Sequence, residues 1–257
     1  MKNILIIGDS WAIVPCNRYA SQSFFHKDLA IKDNNILNWM DFRLLALKHN
    51  VNNRSFGGNQ NWFQLGIAET HIQSSLKNNF RIDLIIWYHT ELCRDFNLDL
   101  NINDNHHIQM LKNKGLDSTL DYIGEETYNY ATMLHELSPS TKWAIIGGHA
   151  PLRSKVKNLL NWADFRLDDY RSKILNRRDI PECQTLSLHT AQWDILKDKC
   201  GISTEVILKE LDKKELILQA CSDIDKFYDK VHPSPFSNFM LTDLIIKHFE
   251  LDISSSV

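Results

Sequence analysis

Three short, uninterrupted apolar runs constrain the fold of this chain more than any other feature: ILII at 4–7, LIIWY at 84–88 and WAII at 143–146. A strand with one face in water alternates polar and apolar residues. Runs this brief and this continuous suit central strands of a parallel sheet, covered by helices on both faces. The pattern predicts strands over 3–7, 83–88 and 142–146, a weaker one over 50–56 and a further candidate over 184–188. Helical patterns fall over 36–49, 62–79, 125–137, 204–221 and 236–249. The last places Phe236, Phe239, Met240, Leu244, Ile245 and Phe249 close to a 3.6-residue repeat. Strand and helix alternating in this order predict a three-layer α/β fold with right-handed crossovers.

Two stretches break the rhythm. Residues 95–124 are rich in Asn and Asp and poor in core-forming side chains, which reads as a lid over a site or a solvated excursion. Residues 153–198 scatter Trp162, Phe165, Tyr170 and Trp193 among charges, and suit either a cap on the sheet or a partner surface. Neither stretch resembles a linker, and 257 residues are about right for one well-filled domain. The expected organisation is a single domain over 1–257 with insertions around 95–124 and 153–198.

Charge and composition remove several function classes. Lys plus Arg number 29 against 32 Asp plus Glu, a net charge of -3, without the positive excess of a general nucleic-acid binder. No apolar run approaches the roughly 20 residues needed to span a bilayer. The four apolar residues at 4–7 are too few for a signal-peptide core and no small-residue cleavage site follows, so a cytoplasmic location is expected. Cys16, Cys93, Cys183, Cys200 and Cys221 are odd in number and form no Cys-x-x-Cys, which fits reduced thiols rather than a disulfide framework or a structural zinc site. Neither a Gly-x-Gly-x-x-Gly nor a Walker loop is present, so no nucleotide cofactor is expected.

Three segments can carry chemistry. Gly8-Asp9-Ser10 puts a hydroxyl directly after the first strand, at the sheet edge where α/β proteins build their sites. Taken alone, the tripeptide is also common turn chemistry. Asp229-Lys230-Val231-His232-Pro233 precedes the last helix and lets one short loop present both a base and its orienting carboxylate, although an exposed histidine before a helix has the same appearance. Asn53-Arg54-Ser55-Phe56-Gly57-Gly58-Asn59 follows the second strand. His106-His107 near Asp104 lie in a polar stretch and read as solvent-exposed rather than as metal ligands. Gly147-Gly148-His149 ends a strand at the same edge as Ser10, and Trp11 and Trp62 flank that region, to pack or to contact an acyl or sugar group.

In this order and at these ends of the chain, the three segments resemble the first, second and last blocks of the SGNH (GDSL-type) hydrolases; HPSPFSNFMLTDLIIKHF looks like that family's closing helix. The resemblance implies a flavodoxin-like fold with a mostly parallel five-stranded sheet. It also implies a serine esterase or acyl hydrolase acting through an acyl-enzyme, with Ser10 as nucleophile, His232 as general base and acid and Asp229 as its carboxylate. The backbone N–H groups of Ser10 and Gly58 would bind the oxyanion, and the scheme needs neither metal nor cofactor. The implied partner is a small-molecule or carbohydrate ester, with no nucleic acid and no membrane span.

The chain departs from the family at one position. Where the family has Gly-x-Asn-Asp, this sequence reads His89-Thr90-Glu91-Leu92, with Glu91 at the asparagine. An amide donates to the developing O⁻; an ionised carboxylate can only accept and repels it. A protonated Glu91 would donate; alternatively Asn59, Asn61 or His89 would supply the missing donor, or Arg94 would pair with Glu91 and make HTELCRD a clamp beside the pocket. Thr90-Glu91 and Arg94-Asp95 are also similar to a segment of SGNH-like proteins of tailed phages, for which a virion location would follow. The other function class open to the chain is a non-catalytic SGNH-fold binding or structural protein.

Overall fold

Parallel pairing sets the three apolar runs side by side. The structure, a computed structural model, describes residues 1–9, 12, 39–56, 59–95, 106–148, 151–170 and 235–252. In chain order these form β1 (Asn3–Ile7), α1 (Trp39–Ala46), β2 (Asn50–Asn53), α2 (Asn61–Asn78), β3 (Leu84–His89), α3 (His106–Leu137), β4 (Lys142–Gly147), β5 (Phe165–Leu167) and α4 (Pro235–His248). Short 3-10 turns lie at Leu92–Asp95 and Lys157–Leu160. The five strands are all parallel in the order β2-β1-β3-β4-β5, the flavodoxin-like arrangement, with its switch point between β1 and β3.

Alternation along each strand divides the core into two layers. Leu5, Ile7, Ile85, Trp87, Trp143 and Ile145 face α2 and α3, against Leu65, Ile72, Ile123 and Leu134. Ile4, Ile6, Leu84, Ile86, Tyr88 and Ile146 face the other way, against Met40 and Leu44 of α1 and Leu241 and Ile245 of α4. All six β3 residues are buried, because this strand is covered on both faces and has a neighbour on each side. Each large apolar side chain removed from water in this way contributes roughly 1.5–3 kcal/mol. The one polar atom of Trp87 in this layer is satisfied, its Nε1–H donating to Gln64 Oε1 at 2.8 Å.

At the N-terminal edge, carboxylates cap the strands. Asn3 N–H donates to Asp83 Oδ2 at 2.8 Å and Trp143 N–H to Asp164 Oδ2 at 3.0 Å. Lys2 N–H donates to His49 Nδ1, and His49 Nε2 meets the Leu251 carbonyl at 2.8 Å, tying the two ends of the described chain together. An open cavity of about 370 Å³, lined by Lys2, Arg81, Lys142 and Asp164 among others, lies at this edge, at the opposite end of the strands from the polar cluster described below.

Two expectations change. Residues 106–124 are neither lid nor solvated excursion: they are the first half of α3, kinked at Gly115 (φ 78°), and bury Ile108, Leu111, Leu120 and Ile123 in the core. The fifth strand of the sheet is Phe165–Leu167, pairing with β4 from Ala144 to Ile146. Within 153–170 the aromatic side chains pack onto the domain. Trp162 stacks on His135 with ring centroids 4.5 Å apart and donates Nε1–H to Thr132 Oγ1, while Tyr170 is buried. The candidates at 184–188 and 204–221, and Trp193, lie outside the described residues. No helix among the described residues is long and apolar enough to cross a membrane.

Candidate active site

At the C-terminal edge, β1 leaves the sheet through Gly8 and Asp9. Gly8 has no room for a side chain: a Cβ there would stand 2.7 Å from Tyr88 Cβ and 2.9 Å from Ala12 Cβ. The strand exit therefore packs directly against β3. The residues beyond β2 run alongside it, with Arg54 N–H donating to the Ile6 carbonyl at 2.8 Å and Phe56 N–H to the Gly8 carbonyl at 3.1 Å. Ala12 N–H donates to the Asp9 carbonyl at 3.1 Å, and the Ala12 carbonyl accepts from Asn53 Nδ2 at 3.1 Å. Ser10 stands between Asp9 and Ala12 in sequence and lies outside the described residues, as do Trp11, Gly57, Gly58, Asp104, His149, Asp229 and His232.

β3 ends at the switch point in an entirely buried run, His89, Thr90 and Glu91. Thr90 Oγ1 lies 2.9 Å from Asp9 Oδ2 and 2.7 Å from Glu91 Oε2, so one hydroxyl serves two carboxylates. It has a single proton and donates to one of them at a time. Arg94, one 3-10 turn on, brings positive charge to both: Nε is 2.8 Å from Glu91 Oε2 and Nη1 3.6 Å from Asp9 Oδ2. Nε is not aimed along a hydrogen-bond direction and Nη1 lies beyond hydrogen-bond reach, so these are charge contacts rather than aligned bonds. Glu91 and Arg94 thus form the ion pair that their spacing allowed.

Asn61, the first residue of α2, fixes Thr90 from behind. Its Oδ1 accepts from Thr90 N–H at 2.9 Å, and its Nδ2 donates to the Thr90 carbonyl at 3.2 Å and to Asp95 Oδ2 at 2.8 Å. Both amide hydrogens are therefore committed, and Asn61 has none left for an oxyanion. Asp95 also accepts from Trp62 N–H at the α2 N-terminus, where a helix favours negative charge. Burial nevertheless pushes the Asp95 carboxyl up to about 7, against the lowering effect of the Asn61 and Trp62 hydrogen bonds and the Arg94 charge.

His89 packs on the α2/α3 side of β3, edge-on to Trp87 and Tyr128, with Nε2 3.3 Å from the Tyr128 hydroxyl. Burial lowers its pKa to about 3, so it is a neutral core histidine at ordinary pH. Its Nδ1 is buried with no hydrogen-bond partner among the described residues. Asn59 shares that state: its backbone is held by Phe56 and Gln64, while the buried Nδ2 has no hydrogen-bond partner among the described residues. An amide donor left unsatisfied this way is uncommon in a folded protein.

Outside this cluster, His106 and His107 open α3 rather than lying in a loop, and His107 Nε2 pairs with Glu126 Oε2 at 3.0 Å. Among the described residues no group of three or more His, Cys, Asp or Glu side chains is arranged to hold a metal ion. Gly147 sits where a Cβ would run into the Asp168 carbonyl, which accepts from Leu152 N–H; its role is to admit that close approach.

No protein-family model matches the chain. No curated protein matches it in sequence. Among solved structures it is similar to a lipase/acylhydrolase from Enterococcus faecalis, with 14% identity and a TM-score of 0.41 over 97% of this chain and 96% of that one. It is also similar to the psychrotrophic esterase EstA from a Pseudoalteromonas species, with 9% identity and a TM-score of 0.38 over 97% of each chain.

Ser10, Gly58 and the Asp229/His232 pair stand out in the sequence, whereas the part of Thr90, Asn61 and Asp95 in tying the two strand exits together does not. A signal was available: a wholly apolar strand followed at once by His-Thr-Glu, with Arg94 and Asp95 one turn later, leaves several polar groups at a depth where each needs a partner.

Proposed function

We propose that the protein is a serine ester hydrolase of SGNH type. Ser10 attacks the ester carbonyl carbon while His232 takes the hydroxyl proton, and Asp229 orients the imidazole. The tetrahedral intermediate collapses, the C–O bond to the alcohol breaks, and His232 returns its proton to the leaving oxygen. Water, deprotonated by the same histidine, then cleaves the acyl-enzyme, releasing the carboxylic acid and restoring the serine. The backbone N–H groups of Ser10 and Gly58 bind the oxyanion, and Asn59 Nδ2 supplies the side-chain donor in place of the family's asparagine.

The observation that carries this reading is the treatment of the residues on either side of Ser10. Asp9 and Ala12 are tied to each other, to Thr90 just past the end of β3 and to Asn53 on β2, at the switch point of a parallel sheet. That edge is where open α/β sheets bind their ligands, and a nucleophile gains from a rigid support. Hydrolysis of p-nitrophenyl acetate tests it. Ser10→Ala and His232→Ala each lower kcat by about 10⁴-fold or more; wild-type rates in Ser10→Ala would remove Ser10 as the nucleophile.

A second reading, a non-catalytic SGNH-fold binding or structural protein, draws on Glu91. A carboxylate at the family's asparagine position, buried and matched to Arg94, is also what a site retired from catalysis would tolerate.

A further inference from the structure

We propose that Thr90, Glu91 and Arg94 form a clamp on the Asp9 carboxylate and thereby set the turn that presents Ser10. Glu91 then acts as a positioning residue where the family's asparagine binds the oxyanion. The inference rests on the esterase reading for its catalytic half only; the clamp on Asp9 stands on geometry.

Four observations lead to it. Asp9 and Thr90 are 81 residues apart in sequence, yet their side chains meet at 2.9 Å with both residues buried, so the contact welds the exit of β1 to the exit of β3. The same hydroxyl meets Glu91 at 2.7 Å, which brings two carboxylates to one oxygen. Two buried carboxylates this close repel unless a cation or a proton intervenes; Arg94 reaches both, at 2.8 Å and 3.6 Å. Thr90 is itself immobilised, since Asn61 holds its N–H and its carbonyl together.

Steric and polar constraints converge on the same turn. Tyr88 Cβ stands where a side chain on Gly8 would have to go, and Thr90, two residues further on and just past the end of β3, anchors the next residue, Asp9. Substituting Glu91 by the family's asparagine would shorten the side chain and remove the charge that holds Arg94. On this account the chain has exchanged an oxyanion donor for a fixed nucleophile turn, and the unpartnered Asn59 amide makes good the donor.

Thr90→Val tests the clamp, because it keeps the side chain's shape and removes only the hydroxyl; Thr90→Ser keeps the hydroxyl. Two readouts separate the two halves of the proposal. In amide hydrogen exchange, Thr90→Val speeds exchange across Gly8 to Ala12 at least tenfold, while Thr90→Ser stays within threefold of the parent. In ester hydrolysis, Thr90→Val lowers kcat by about 10- to 100-fold with KM within twofold, as expected when a reacting group is displaced without loss of substrate contacts, and Thr90→Ser restores it. Glu91→Gln, which keeps the side chain's length and removes its charge, repeats both effects and serves if Thr90→Val folds poorly. Unchanged exchange over Gly8 to Ala12 in both variants overturns the clamp. Faster exchange with kcat unaltered overturns its catalytic half. A parent protein inert toward esters and toward fluorophosphonates, with exchange still Thr90-dependent, refutes the esterase reading and leaves the clamp as architecture.

Discussion

Replacing Asp95 by asparagine should change how stability depends on pH. The carboxyl is raised from its ordinary 3.8 to about 7 by burial. Between about pH 4 and pH 7 the folded chain therefore keeps a proton that the unfolded chain has released. The folded state binds more protons, so the free energy of unfolding falls as pH rises through that window. Three units correspond to about 4 kcal/mol in total, at up to about 1.4 kcal/mol per pH unit. His89 contributes with the opposite sign: with its pKa lowered to about 3, it stays neutral in the folded state while the unfolded chain takes up a proton below about 6.5. The two slopes oppose each other between pH 4 and 6.5, so the overall profile conceals both, and the difference between variant and parent isolates Asp95. Asparagine at 95 can still accept from Trp62 N–H, but its NH₂ would face Asn61 Nδ2, and Asn61 cannot turn because its Oδ1 accepts from Thr90 N–H. One hydrogen bond is lost, costing about 1 kcal/mol at every pH. Urea unfolding at half-unit intervals from pH 4.5 to 8 should give Asp95→Asn slightly less stable than the parent at the acid end and about 2–3 kcal/mol more stable at the alkaline end. A difference that stays flat across the range would refute the argument that Asp95 carries a burial-raised proton.

Other expectations follow from the same contacts. His89→Leu removes a group that must charge on unfolding in acid, so its acid-unfolding midpoint should move to lower pH, followed by tryptophan fluorescence. Gly8→Ala should destabilise by about 1–3 kcal/mol in urea melts, the usual penalty for a methyl forced into filled space, since Tyr88 Cβ and Ala12 Cβ leave it no room. Glu91→Asn should reduce ester hydrolysis, because the clamp loses its charge; a large gain instead would favour the retired-site reading of the protein.

The central architecture was legible because β1, β3 and β4 are buried on both faces and leave continuous apolar runs. The pattern over 3–7 coincides with β1, and those over 83–88 and 142–146 fall within a residue of the strands observed. β5 was not legible: three residues, FRL, with an arginine in the middle, take their place from pairing with β4 rather than from their own pattern. The first half of α3 was hidden by Asn and Asp residues and by Gly115, yet Ile108 and Leu111 before the kink and Leu120 and Ile123 after it each keep a three-residue helical spacing. At the site, the Glu91–Arg94 pair could be anticipated from a three-residue separation along one turn. The Asp9–Thr90 contact could not, since nothing local marks two residues 81 positions apart as partners; only the placement of β1 beside β3 joins them.

Labelling with a fluorophosphonate, read by intact mass and peptide mapping with Ser10→Ala as control, tests the serine nucleophile most directly. One adduct per chain should form, on Ser10, absent from Ser10→Ala and slowed in His232→Ala. A folded protein that takes up no label, or takes it up at another residue, would contradict the assignment of Ser10 as an activated nucleophile.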